Sequence, residues 1–171
     1  PCEQEGTSPL PDTQLDRLLM RSSIVYPDFR QESEMLDRLR GGHPINSLKP
    51  ILAAATVAQM QEYVEKVFVH EEVKTYLLKI VHNTRQNFKL GLGGSPRASI
   101  ALYRSAQAMA ALEGRNYVIP DDVKKLAEPV LSHRVILKPE YRLRKETTKT
   151  VIEEILASIE VPSNIGAYRP K

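Results

Sequence analysis

Apolar residues recur at helical spacing along almost the whole chain after residue 27. In DFRQESEMLDRLR, residues 28–40, Asp28 stands ahead of Phe29, Met35, Leu36 and Leu39, and Gly41-Gly42 follows, so the pattern predicts a capped helix with a glycine stop. Pro44, Asn46 and Pro50 interrupt the next stretch. A second helix is expected over about 56–66, with Val57, Met60, Tyr63, Val64 and Val67 on one stripe. Val67 to Val69 reads as a short extended piece. It leads into a long helix with Val73, Tyr76, Leu77, Ile80 and Val81 inward. Another helix runs from Ser95 to about Leu112 and ends at Gly114. NYVIPDDVKKLAEPVLSHRVIL then repeats the logic: β-prone Tyr117 to Ile119, Pro120 with Asp121 and Asp122 in the first turn, and Val123, Leu126, Ala127 and Leu131 inward. A last amphipathic helix, about 147–159, carries Val151, Ile152, Ile155, Leu156 and Ile159. The tail VPSNIGAYRPK is expected to be loosely held.

Residues 1–29 differ. In SPLPDTQLDRLLM, Pro11 and Asp12 precede Leu15, Leu18 and Leu19, a short-helix pattern. RSSIVYP then gives the β-branched run Ser23 to Tyr26, closed by Pro27, which predicts one strand. A lone strand needs partners, and these must lie outside the sequence. The expected fold is therefore mainly α, a bundle of five or six helices preceded by one helix and one strand.

Composition narrows the classes. With 171 residues, 42% hydrophobic and 26% charged, the chain can bury a real core. No apolar run approaches about 18 residues, and PCEQEGTSPLPD has neither the basic nor the apolar region of a signal peptide, so a cytoplasmic protein is expected. The first residue is Pro1 rather than a methionine, which reads as a piece of a longer protein. Cys2 alone excludes an internal disulfide framework, and no nucleophile–base context surrounds it. A net charge of +3 argues only weakly for nucleic acid. His43, His70, His82 and His133 lack ligand spacing, so no metal site is expected.

The glycine cluster GLGGSPRASIALYRSA, residues 91–106, invites comparison with phosphate-binding loops. It fits none of them: Ser95-Pro96-Arg97 replaces the Lys-Thr of a Walker loop, Pro96 follows Gly91 and Gly93 where a Rossmann loop needs glycine, and a nucleophile elbow would need glycine at Arg97. What remains is a chain reversal by glycines, Ser95 as a cap and Pro96 at the first helical position. Arg97 then lies in the first turn, where the helix dipole disfavours a cation. Either it bends to solvent or a nearby glutamate, or helix end and guanidinium together face a phosphate. If Leu15, Leu18 and Leu19 face a core, Asp16 and Arg17 are presented outward. Arg142, Arg144, Lys145 and Lys149 read as a solvated face, with an acidic partner or nucleic acid as the other reading.

Two stretches, EQEGTSPLPDTQLDRLLMRSSIVYPD and GGSPRASIALYRSAQAMAALEGRNYVIPDDVKKLAEPVLSHRVIL, carry a resemblance. From Glu3 to about Leu137 the chain resembles the C-terminal half of a MoxR-type AAA+ ATPase, with its S-P-R-A, G-R-x-Y-V-x-P-x-D-V and L-x-H-R blocks in family order. The resemblance implies an α/β core ending near residue 29, a helical lid over 30–160 and a tail over 161–171. It implies ATP with Mg2+ bound between core and lid, at subunit junctions of a ring, usually a hexamer. It matches Arg97 to the sensor-two arginine, which reaches the γ-phosphate in its own subunit, and Arg17 to the arginine finger, which enters the neighbour's site. Arginine suits both places because its planar fork holds two phosphate oxygens at once.

The resemblance further implies chaperone-like remodelling, or help with metal insertion, in client proteins, and partners bearing von Willebrand factor type A domains. Ser8 stands where the family often has an aromatic, and Leu18 where it often has phenylalanine. The Walker motifs and the sensor-one residue are not within the sequence, so this stretch alone is not expected to hydrolyse ATP. The alternative from another class is a non-enzymatic helical module that binds DNA or protein through Arg142 to Lys149.

Overall fold

The computed structural model describes residues 10–40 and 42–162. These residues form eight α-helices: α1 Asp12–Leu15, α2 Phe29–Leu39, α3 Ala54–Glu65, α4 Glu71–Gln86, α5 Pro96–Leu112, α6 Pro120–Leu131, α7 Pro139–Leu143 and α8 Thr148–Ser158. A 3-10 turn covers Pro44–Ser47, and β1 Leu90–Leu92 pairs antiparallel with β2 Ile136–Leu137. All six helices expected after residue 27 are present. The tail from 163 onward, Gly41 and Cys2 lie outside the described residues.

The chain divides into two compact units, one made of the segment up to Arg21 together with the chain from Tyr63 onward, the other of Ser22–Glu62. In the first, α5 packs most extensively on α6, and α4 and α8 close the remaining sides. Ala98, Ala101, Ala106 and Ala110 give α5 a small-residue face, which lets Tyr76, Leu77, Ile80, Leu102, Val123, Val130, Leu131 and Ile152 interdigitate with almost no exposure. The inward residues expected on α4 and α6 are all buried. On α8, Val151, Ile152 and Ile155 are buried, and Leu156 and Ile159 pack at the margin.

The extended pieces at 67–69 and 117–119 meet each other. Phe68 N–H donates to the Asn116 carbonyl at 2.9 Å and Val118 N–H to the Phe68 carbonyl at 2.9 Å, a parallel bridge that ties the entry of α4 to the entry of α6. Asp122, in the first turn of α6, accepts the Ile119 N–H at 2.9 Å and the two-pronged guanidinium of Arg115 at 2.6 and 2.9 Å. The carboxylate is 1% exposed, so Arg115 is its necessary counter-charge.

The second unit behaves differently. Asp28 caps α2 as expected, accepting from Gln31 N–H at 2.8 Å while its own N–H donates to Gln31 Oε1 at 3.0 Å. Gly42 sits at φ +102°, the left-handed conformation that a glycine stop requires. Yet Phe29, Met35, Leu36 and Leu39 are exposed, and no described residue of 22–62 is buried.

Ser23 to Tyr26 forms no strand. Ile24, Val25 and Tyr26 are almost fully exposed and outside regular structure. β-branched residues favour a strand only where neighbouring strands accept its hydrogen bonds, and no partner strand lies among the described residues. The Leu15, Leu18, Leu19 stripe is also not realised as a helix face. α1 ends at Leu15, and Leu18 and Leu19 are about half exposed.

Candidate functional site

The glycines before α5 act by closeness rather than by unusual backbone angles. Gly42 and Gly114 are the described glycines at positive φ, and neither belongs to the cluster. A Cβ on Gly93 would lie 2.5 Å from Arg85 Cα and 2.6 Å from its nitrogen, so the loop presses backbone to backbone on the end of α4. Gly94 N–H donates to Thr84 Oγ1 at 2.9 Å, and Arg85 Nε donates to the Gly94 carbonyl at 2.7 Å. The expected chain reversal is therefore a clamp against α4, and it fixes where α5 begins.

Ser95 caps α5 as expected, accepting from Arg97 N–H at 3.1 Å, with Pro96 at the first helical position. Its hydroxyl also donates to the Asp16 carboxylate, 2.9 Å from either oxygen. Asp16 is therefore not presented outward: its side chain is 18% exposed and seated at the N-terminal end of α5, where the helix dipole favours an anion. α1 ends at Leu15, so the longer helical stripe that would turn Asp16 outward is not formed.

Arg97 follows with one long contact, Nη1 to Asp16 Oδ2 at 3.5 Å, and its side chain is 60% exposed. Its anionic neighbour is thus an aspartate rather than a glutamate. Among the described residues this is the one contact of its guanidinium. Arg17 is exposed and has no ion pair among the described residues. The structure brings the two arginine positions to one node, since Asp16 precedes Arg17 and touches Arg97.

Arg134, the last residue of the L-x-H-R block, completes the node in a task that the resemblance did not give it. It lies three residues beyond the end of α6, with its side chain 2% exposed. Nε donates to the Asp16 carbonyl at 3.2 Å and lies 3.6 Å from Asp16 Oδ1; Nη1 donates to the Leu19 carbonyl at 3.0 Å and also to the Val130 carbonyl; Nη2 donates to the Leu18 carbonyl. Burial pulls its pKa down and the Asp16 carboxylate opposes this. Arg21 N–H donates to the Pro129 carbonyl at 2.8 Å and ends the seated segment.

His133 adds Nε2 at 3.0 Å from the Leu18 carbonyl. A carbonyl can only accept, so Nε2 carries the proton; Nδ1 is buried and has no hydrogen-bond partner among the described residues. Desolvation lowers the pKa of His133, helped by Arg134 and Arg21 and opposed by the Leu18 carbonyl and Asp16. The other histidines have local tasks: His43 and His70 accept the N–H of Ile45 and Glu72 at helix starts, and His82 touches Arg85. Among the described residues no group of three His, Cys, Asp or Glu side chains could hold a metal.

The basic run spans α7, the turn after it and the first turn of α8. Arg144 lies over the Tyr141 ring at 5.8 Å, and Lys149 approaches Glu153 at 4.0 Å. No helix of the described residues is long and apolar enough to cross a membrane.

Residues 82–155, which include the glycine loop, Arg97 and Arg134, match the AAA lid domain family. The chain is 41% identical over 169 residues to the uncharacterised protein YeaC of Bacillus subtilis, covering 99% of this chain and 53% of that one. It is 33% identical over 171 residues to the chaperone MoxR1 of Mycobacterium tuberculosis, covering 95% and 45%. The crystal structure of a protein assigned as an ATPase from Cytophaga hutchinsonii superposes with a TM-score of 0.86 at 32% identity, over 95% of this chain and 52% of that one. The fold and the node thus define a AAA+ lid with the segment that docks on it. The chain belongs to the MoxR-type AAA+ ATPases, as their C-terminal portion. It spans about half the length of the curated relatives it matches.

Proposed function

We propose that this chain is the lid-bearing part of a cytoplasmic ATPase that works as a ring, a hexamer, and spends ATP hydrolysis on remodelling client proteins or assisting cofactor insertion into them. Residues 1–29 are read as the end of the α/β core, 30–160 as the lid and 161–171 as a tail. When bound, ATP supplies the phosphoanhydride that is cleaved. Arg97 holds the γ-phosphate in its own subunit, and Arg17 enters the neighbouring site as a finger that stabilises charge developing on the transferred group.

The observation that carries this reading is the start of α5. An arginine stands in a helix's first turn, mostly solvent-exposed, beside a position where a carboxylate is already accommodated. A guanidinium held there by a single long contact is available to a phosphate, which in this reading takes the place of the Asp16 carboxylate as the partner of Arg97. The described residues offer no cluster for Mg2+, so in this reading the ion is held by other residues. Proteins with von Willebrand factor type A domains are the proposed partners.

Three experiments on the full-length protein test the reading. Its sequence before Pro1 must contain G-x-x-x-x-G-K-[ST] and an acidic strand; without them the ATPase reading fails. R97A is expected to weaken ATP binding or hydrolysis, and unchanged turnover removes Arg97 from the site. R17A is expected to lose hydrolysis by about 10³-fold or more while keeping nucleotide affinity, with partial rescue in mixed rings that supply wild-type fingers. Normal hydrolysis by R17A ends the finger role.

A further inference from the structure

Arg134 spends its donors in an uncommon way for a buried arginine. Replacing a buried charge and its partners by apolar groups is often neutral for stability, so packing alone gives no reason for a guanidinium here. Its bonds go to the carbonyls of Asp16, Leu18 and Leu19, which lie on both sides of residue 17, and to Val130 at the end of α6. His133 holds the Leu18 carbonyl a second time, and the Arg21 to Pro129 bond closes the segment. Leu18 and Leu19 stay half exposed, so little apolar burial contributes to seating this stretch. The backbone of residue 17 is thereby pinned before and after, while the Arg17 side chain is left exposed.

We propose that Arg134 is a positioning residue for Arg17: it clamps the peptide on either side of position 17 to the end of α6, so that the lid, and not the segment's own packing, aims the exposed guanidinium. The proposal rests on the finger reading of Arg17. A guanidinium that must meet a developing charge in another subunit gains from a fixed backbone, because less rotational freedom is lost in reaching the reactive geometry. Arg134 touches no reacting atom in this scheme. Its effect passes through Arg17.

The test uses the full-length ATPase, with steady-state hydrolysis, ATP affinity and amide exchange read together. R134Q is expected to lower kcat at least tenfold with ATP affinity within about threefold of wild type, and to speed exchange of the Arg21 amide. R17A/R134Q is expected to be no slower than R17A alone, because the two residues act through one contact. If R134Q does not fold, H133F, which removes only the second hold on Leu18, is read instead, with a kcat loss of several-fold expected. A kcat within twofold of wild type in the variant read, or a double variant slower than R17A by the full R134Q factor, overturns the proposal. If R17A itself hydrolyses normally, the finger reading has failed. If R17A is slow and R134Q is not, the finger reading stands and this inference falls.

Discussion

Gly93→Ala measures how firmly the loop that starts α5 is held against α4. The new methyl would meet Arg85 Cα at 2.5 Å, Arg85 N at 2.6 Å and the Thr84 carbonyl carbon at 2.7 Å, all backbone atoms that cannot swing aside. Restoring ordinary contact near 3.5 Å requires the two backbones to part by roughly 1 Å. Such a shift stretches both the Gly94 to Thr84 bond at 2.9 Å and the Arg85 to Gly94 bond at 2.7 Å.

Overpacking costs about 1–3 kcal/mol and each of the two weakened hydrogen bonds about 0.5–1.5 kcal/mol, so a net loss of about 2–6 kcal/mol is expected. Urea unfolding followed by far-ultraviolet circular dichroism reads it as a midpoint lower by about 1–3 M, for a slope near 2 kcal/mol/M. Gly91→Ala is the control, since its added Cβ meets nothing nearer than 3.6 Å. That variant is expected to stay within about 1 kcal/mol of wild type. Equal midpoints for the two variants would refute the close-approach argument.

Two further outcomes follow from buried charges. Arg115→Met leaves the Asp122 carboxylate buried with only the Ile119 N–H, and is expected to cost about 3 kcal/mol in the same unfolding assay; a loss under about 1 kcal/mol would mean that water reaches Asp122. His133 binds its proton less readily folded than unfolded, so the unfolded chain takes up more protons as pH falls below about 6.5. Its contribution is therefore full above that pH and is lost on acidification. The urea midpoint should drop between pH 7.5 and 5.5 by less in H133Q, whose amide can still donate to Leu18, than in wild type, and equal drops would exclude His133 as a source.

What the sequence disclosed depended on how local each signal was. α4, α5, α6 and α8 could be read because their apolar periods coincide with nearby start signals, such as Ser95-Pro96 and Pro120 with Asp122. The β1–β2 pair escaped because three residues bond two others more than forty positions away, and neither run has a strand's length. The task of Arg134 escaped for a related reason. Most of its partners are backbone carbonyls more than a hundred residues earlier, which carry no side-chain signature. Arg97 and Arg17 were singled out by their place in short motifs and given roles only by the family resemblance; both are exposed.

The seat of residues 16–21 on α6 makes the helical body discontinuous in sequence. A lid cut out as residues 63–162 would keep its apolar core, yet Arg134 would be left with the Val130 carbonyl and the bonds to residues 16, 18 and 19 gone. Modular exchange between relatives is thereby constrained. Two separated pieces of chain must be inherited together, and a recombination point placed at the apparent start of the helices would divide them.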